Sequence, residues 1–118
     1  MEISDLERTV IDGLRQPEYC GGVSEVAKGL WMRHDDIIVA RLVDYAPRLG
    51  IGAVIRRLGY LLELYRLAPE TELARLREKL TDTYLLLDPT LPKEGAHLRR
   101  GRIQLNVTPQ ELETVRTT

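Results

Sequence analysis

The densest chemistry in this sequence lies between positions 93 and 102. Lys93, His97, Arg99, Arg100 and Arg102 fall in that short span, with Glu94 the sole acid among them. Guanidinium groups grip phosphate or carboxylate oxygens through paired hydrogen bonds. The cluster therefore suits an anionic partner, either nucleic-acid phosphates or an acidic protein. The alternative is a solvated loop whose arginines pair with carboxylates from the first half of the chain.

Other candidates are thinner. His34 stands beside Asp35 and Asp36, a grouping that suggests a metal. No second histidine or cysteine lies at ligand spacing, so Asp35 or Asp36 reads better as the N-cap of the next helix. Cys20 is the lone cysteine and has no internal disulfide partner. With no cation beside it, it reads as buried apolar filler. There is no GxSxG, no phosphate-cradling glycine loop and no paired-histidine motif. Two histidines and scattered carboxylates do not define an acid–base pair. The expectation is a chain that is not an enzyme and that holds no metal or cofactor.

Composition sets the frame for these side chains. The chain has 118 residues, enough for a single domain over 1–118. Its formal net charge is −1, so no global field draws nucleic acid or acidic membranes. Acids are in excess up to Gly50 and bases after it. Phenylalanine is absent, which leaves Leu, Ile and Val to make the core, with Trp31 and the tyrosines as bulk. No apolar run reaches the length of a membrane span. The opening MEISDLERT is too acidic for a secretory signal. A cytoplasmic protein with no membrane partner is expected.

The element that must position everything else is 51–67. Ile51, Val54, Ile55, Leu58, Leu61, Leu62 and Tyr65 recur at helical spacing and form a broad apolar surface. Such breadth predicts a helix gripped by several neighbours. Arg56, Arg57, Glu63 and Arg66 are left for its wet side. Gly59 suggests close approach of another backbone.

Around it, Ser4 and Glu7 form a capping box for a first helix. Leu6, Val10, Ile11 and Leu14 face inward, Glu7, Arg8, Asp12 and Arg15 face out, and Pro17 ends it. A second helix starts near Ser24 and buries Val23, Val26, Ala27, Leu30 and Trp31. A third, over 37–48, buries Ile38, Leu42, Tyr45 and Leu49. Pro47 should break its last turn and Gly50 should stop it. Pro69 opens a fifth helix with Leu73, Leu76 and Leu80 inside. The pattern then changes to period two. Tyr84–Leu87 reads as a buried strand. Arg102–Val107 reads as a strand with Ile103, Leu105 and Val107 inside and Arg102, Gln104 and Asn106 wet. A loop long enough to be functional or mobile joins them. Thr108, Pro109 and Glu111 open a short terminal helix through Leu112 and Val115. The expected fold class is mainly α (α+β). About five helices pack around a central helix, a small two-strand antiparallel β element lies near the C-terminus, and a short helix closes the chain.

Several stretches combine into a further pattern. SDLERTVIDGLRQPEYCGGVSEVAKGL, RLGIGAVIRRLGYLLEL, LLLDPTLPKEG and RRGRIQLNV follow one another in an order that resembles the C-terminal domain of AbiEi-type antitoxins. These are predicted transcriptional regulators of abortive-infection toxin–antitoxin systems. The resemblance covers nearly the whole chain. It implies an antitoxin-like, protein-binding domain that neutralises a cognate nucleotidyltransferase-like toxin and assists repression. It also implies partner contacts from Leu87–Gly95, Arg99–Val107, Arg57 and Tyr60, beside the late cluster. Two departures matter. No winged helix-turn-helix precedes Ser4, so DNA is expected to bind only weakly or through a missing domain. Where relatives carry a pattern like NRRW, this chain has Leu98-Arg99-Arg100-Gly101. Unpaired edges of a two-stranded sheet predict a homo-oligomer or a second subunit. The alternatives to antitoxin activity are a nucleic-acid-binding accessory module using the late basic loop and a structural oligomerisation domain.

Overall fold

The computed structural model describes residues 4–81 and 83–117. The reading of the extreme N-terminus, Met1 to Ile3, lies outside them. Among the described residues the chain forms six α-helices and a small three-stranded sheet. The helices are α1 (Asp5–Arg15), α2 (Val23–Met32), α3 (Val39–Leu49), α4 (Gly52–Leu64), α5 (Glu70–Arg77) and α6 (Pro109–Glu113). The strands are β1 (Leu85–Leu86), β2 (Ala96–Leu98) and β3 (Ile103–Leu105).

Helix α4 is the centre, as its apolar breadth requires. It touches α1, α3, α5, β1 and β3. Val54, Leu58, Leu61 and Leu62 are fully buried, and Ile55 and Tyr65 nearly so. Leu14, Leu30, Leu42 and Leu76 from the surrounding helices complete one continuous core with Ile103 and Leu112. The wet side, however, is not wet where it faces the sheet. Arg56 and Arg57 are 4% and 5% exposed. The helix is enclosed on that side by β1 and β3, so these two guanidinium groups lie inside the fold. Gly59 meets no backbone; a Cβ there would touch only the Leu76 side chain at 3.8 Å.

The capping box on α1 forms as its residue types demand, with Glu7 N–H donating to Ser4 Oγ and Ser4 N–H donating to Glu7 Oε1. Glu7 nevertheless faces inward, 1% exposed, because its other oxygen accepts from Ile38 N–H at 2.8 Å. That bond caps α3 from another element. Asp35 and Asp36 therefore do not cap it. They lie in a 3-10 turn, His34–Asp36, and Ile38 is both the N-cap and 49% exposed. Helix α3 runs through Pro47 and closes on Gly50 at φ 67. Helix α2 begins at Val23 with no cap from Ser24. Pro69 is the N-cap of α5 rather than its first residue. Cys20 is exposed, not buried, at the end of the turn Pro17–Cys20.

The sheet differs from the expected two-stranded antiparallel pair. Its order is β1-β3-β2, with β1 parallel and β2 antiparallel to β3. The third strand comes from within the long connection. Asp88 and Asn106 turn the chain after β1, where Asn106 Nδ2 donates to the carbonyls of Asp88 and Pro92 at 2.7 and 3.2 Å. Gly95, at φ 97, packs so tightly against the Leu105 carbonyl that only a residue without Cβ fits. The chain is thus folded back along β3. Gln104 is buried, not wet, and its side-chain amide donates to the Gly95 carbonyl.

Candidate functional site

The late arginines sit at the corner where β2 passes through a 3-10 turn, Arg99–Gly101, into β3. Arg102 ends that turn in the left-handed region, at φ 50 and ψ 44. Few non-glycine residues adopt it without support. The support is Arg56, whose Nε donates to the Arg102 carbonyl at 2.9 Å. The Nη2 of Arg56 donates to Thr81 Oγ1 and the Thr83 carbonyl at 2.9 and 2.7 Å. One buried guanidinium thus ties the corner to the segment leading into β1. Burial, and then the nearby charge of Arg102, pull the Arg56 pKa down.

Arg57 performs a parallel task one residue on. Its Nη1 donates to the Leu14 carbonyl at 2.8 Å and its Nε to the Leu86 carbonyl at 3.2 Å. It therefore satisfies the end of α1 and the outer edge of β1 together. Burial lowers its pKa, and the charges of Asp88 and Glu18 oppose that shift. The resemblance implied a partner contact for Arg57; the structure places it in the interior.

A second knot fixes the other end of the sheet. Asp88, 3% exposed, accepts from Val23 N–H at 3.0 Å through Oδ2. Its Oδ1 accepts from Thr90 N–H and Thr90 Oγ1 at 2.9 and 2.6 Å. A carboxylate at the N-terminus of α2 is favoured by the orphan N–H groups there. Gly22, at φ 103, allows the approach; a Cβ there would lie 2.9 Å from Asp88 Oδ2. The CGG, LLLDPTLP and QLNV stretches thus meet in space.

The structure divides the sequence-predicted residues into groups. Arg99, Arg100 and Arg102 come together at the corner. Arg99 is exposed, and its side chain makes no ion pair among the described residues. Arg100, 57% exposed, donates to Glu63 at 2.6 Å, and Arg77 approaches the other Glu63 oxygen at 3.6 Å. Arg102 lies 5.9 Å from the centre of the Tyr84 ring. His97 is exposed and meets the same ring edge-on at 5.0 Å. Lys93 is exposed but stands apart, beyond Gly95 at the far end of β2. At about 3.3 Å per residue, β2 alone separates it from Arg99 by roughly 10 Å. Tyr60 is 6% exposed, and its hydroxyl is buried without a hydrogen-bond partner. Burial and then Glu63 push its phenol up, against the opposing pull of Arg100.

Two residues outside the expected set join this neighbourhood. Arg66 and Arg116 line one groove with Tyr60, Arg100, Leu98 and Leu105. Arg66 is not on a helix face at all: α4 ends at Leu64 and Arg66 turns left-handed at φ 55. Arg116 lies 4.9 Å over the Trp31 ring and binds Glu113 at 3.2 Å. No local pattern marks either one, because the groove exists only where the end of α4 meets α6.

Elsewhere the chemistry is quiet. His34 stacks on Trp31 with ring centres 4.4 Å apart, and its Nδ1 lies 2.5 Å from the Trp31 carbonyl. Among the described residues no group of three or more His, Cys, Asp or Glu could hold a metal ion, and no helix is long and apolar enough to cross a membrane. Compared with protein-family models, curated proteins and solved structures, the chain matches none of them.

Proposed function

We propose that this chain is an antitoxin-like, protein-binding domain that neutralises a nucleotidyltransferase-like toxin by covering its active surface. The observation that carries this reading is the cation-rich corner, Arg99 to Arg102, held from behind by the buried Arg56. Cations presented on backbone that is already fixed lose little entropy on docking. They also select a partner of opposite sign and speed its approach. The resemblance to AbiEi-type antitoxins supports the choice of toxin; the corner supports the mode of contact.

The test is co-expression with a nucleotidyltransferase-like toxin, sought first among the products of the neighbouring genes. Growth should be restored by the wild-type chain and lost again with Arg99→Glu plus Arg100→Glu. A chain that never restores growth, or a doubly reversed variant that restores it fully, refutes this reading. Retention of nucleic acid at low salt would favour an accessory nucleic-acid module instead. Its salt slope should then flatten when Arg99 and Arg100 become alanine.

A further inference from the structure

The sheet has two edges, and the fold treats them differently. The Leu86 carbonyl, which faces away from β3, is taken by Arg57. The other edge, β2, has no such cover. Gln104 accepts from Leu87 N–H at 3.0 Å, so its main chain faces β1. By alternation Ile103 and Leu105 face β2 and pair with Leu98 and Ala96. His97, opposite Gln104, therefore turns its N–H and C=O outward. Neither group has a backbone partner among the described residues. An open edge of this kind is a template for another strand.

The surface next to the end of that edge has a sign. Two grooves meet at Leu98, the last residue of β2, and at Arg100. Their walls hold six arginines, Arg66 and Arg99 among them, and two glutamates, Glu63 and Glu113. Both glutamates are already engaged by Arg100, Arg77 and Arg116. The walls also hold Tyr60, whose hydroxyl is the one buried side-chain polar atom among the described residues without a partner. Buried hydroxyls are seldom left so.

We infer that β2 is the docking edge for an extended acidic segment of a protein partner, which adds as a fourth strand and seats its carboxylates among Arg66, Arg99 and Arg100. The inference rests on the partner-binding reading above and names its geometry. Main-chain bonds to His97 give affinity, and the arginines of the grooves that meet at Leu98 select acidic side chains. Arg100 is exposed and can turn from Glu63 toward an incoming carboxylate. Tyr60 lines the same groove as Arg100, and its unpartnered hydroxyl then donates to the same group.

The test uses the full chain and two short synthetic peptides, one of alternating glutamate and valine and one of alternating lysine and valine. By fluorescence anisotropy at low salt the acidic peptide should bind at least about ten-fold more tightly. His97→Ala, which keeps the N–H, should bind within about three-fold of wild type. His97→Pro, which removes an N–H that no internal bond uses, should bind at least about ten-fold more weakly. Tyr60→Phe should weaken binding about five-fold while leaving the thermal midpoint unchanged or higher. Should His97→Pro fail to fold, amide exchange answers the same question: the acidic peptide must slow exchange at His97. Equal binding of the two peptides, no binding, or an unprotected His97 amide overturns the inference. So does a concentration-dependent dimer that His97→Pro abolishes, since the edge then serves a second copy of this chain. If the chain restores growth against the toxin and His97→Pro does so equally well, the strand-addition geometry fails and the antitoxin reading stands. If peptide binding behaves as expected and growth is never restored, the antitoxin reading fails and the edge remains a docking site.

Discussion

Replacing Arg57 with alanine should destabilise the protein by about 3 kcal/mol, far more than a helix-surface arginine would cost. The side chain is 5% exposed and donates to two main-chain carbonyls from different elements, Leu14 of α1 and Leu86 of β1. Each bond from a charged donor is worth about 1.5–3 kcal/mol net, and its loss leaves a carbonyl without that donor. Relief from burying a charge offsets several kcal/mol of that sum. The cavity left by the aliphatic stem adds to the cost again. Arg57→Lys keeps the charge but not the fork that reaches two carbonyls, so about half the loss should remain. Urea unfolding followed by circular dichroism measures both, and a loss of 3 kcal/mol corresponds to about 12 °C in thermal midpoint for a domain of this size. If Arg57→Ala moves stability by less than about 0.5 kcal/mol, the guanidinium is on a wet face and the account of the closed sheet edge is wrong.

Four further outcomes are expected. Burial pushes the Glu7 carboxyl up, but bonds from Ile38 and Ser4 and the charge of Arg41 outweigh it and hold it below its ordinary 4.5. A lowered carboxyl stabilises the fold above 4.5 and loses that contribution as pH falls through the lower folded value, so Glu7→Gln should narrow the stability gap between pH 7 and pH 3 in urea titrations. Gly95→Ala should cost about 2–3 kcal/mol, because a methyl group meets the Leu105 carbonyl at a positive φ, whereas Gly29→Ala, with open space and a helical backbone, should gain about 0.5–1 kcal/mol in the same melts. Burial first, then Glu113 and Tyr60, push Tyr65 up to about 12. A raised phenol stabilises the fold below its ordinary 10 and loses that as pH rises toward 12, so ultraviolet titration should find Tyr65 ionising last as its bond to the Leu112 carbonyl breaks.

The corner and its supports explain why two adjacent arginines occupy the middle of the central helix. In sequence they look like the polar stripe that such a helix needs. In the fold, that stripe faces a short sheet where the main-chain carbonyls at Leu86 and Thr83 take their donors from the two arginines, and where Arg56 adds a second bond to the Arg102 carbonyl, which already accepts from Leu85 N–H. Arginine is long enough to reach across and carries several N–H groups in a fixed plane. The same pair thereby closes one edge of the sheet and leaves β2 as the open one. Fold and surface are linked through these two side chains.

How much was legible follows the range of the interactions. Period 3.6 in the apolar residues marked α1 to α5, and the Ser4–Glu7 and Thr108–Glu111 spacings marked two helix starts, because those signals act over one turn of backbone. The late arginines were visible as a cluster for the same reason: three of them share four consecutive positions. The tertiary structure alone decided which polar residues went inside. Glu7 caps a helix thirty-one positions away, Asp88 caps one sixty-five positions away, and Arg57 joins carbonyls from two distant elements. It also decided the third strand, since β2 pairs only after Asp88, Asn106 and Gly95 fold the connection back on itself. Local pattern reports which face of a segment is apolar; it does not report whether the opposite face will meet water or an unsatisfied backbone, and that difference separates a surface arginine from a buried one.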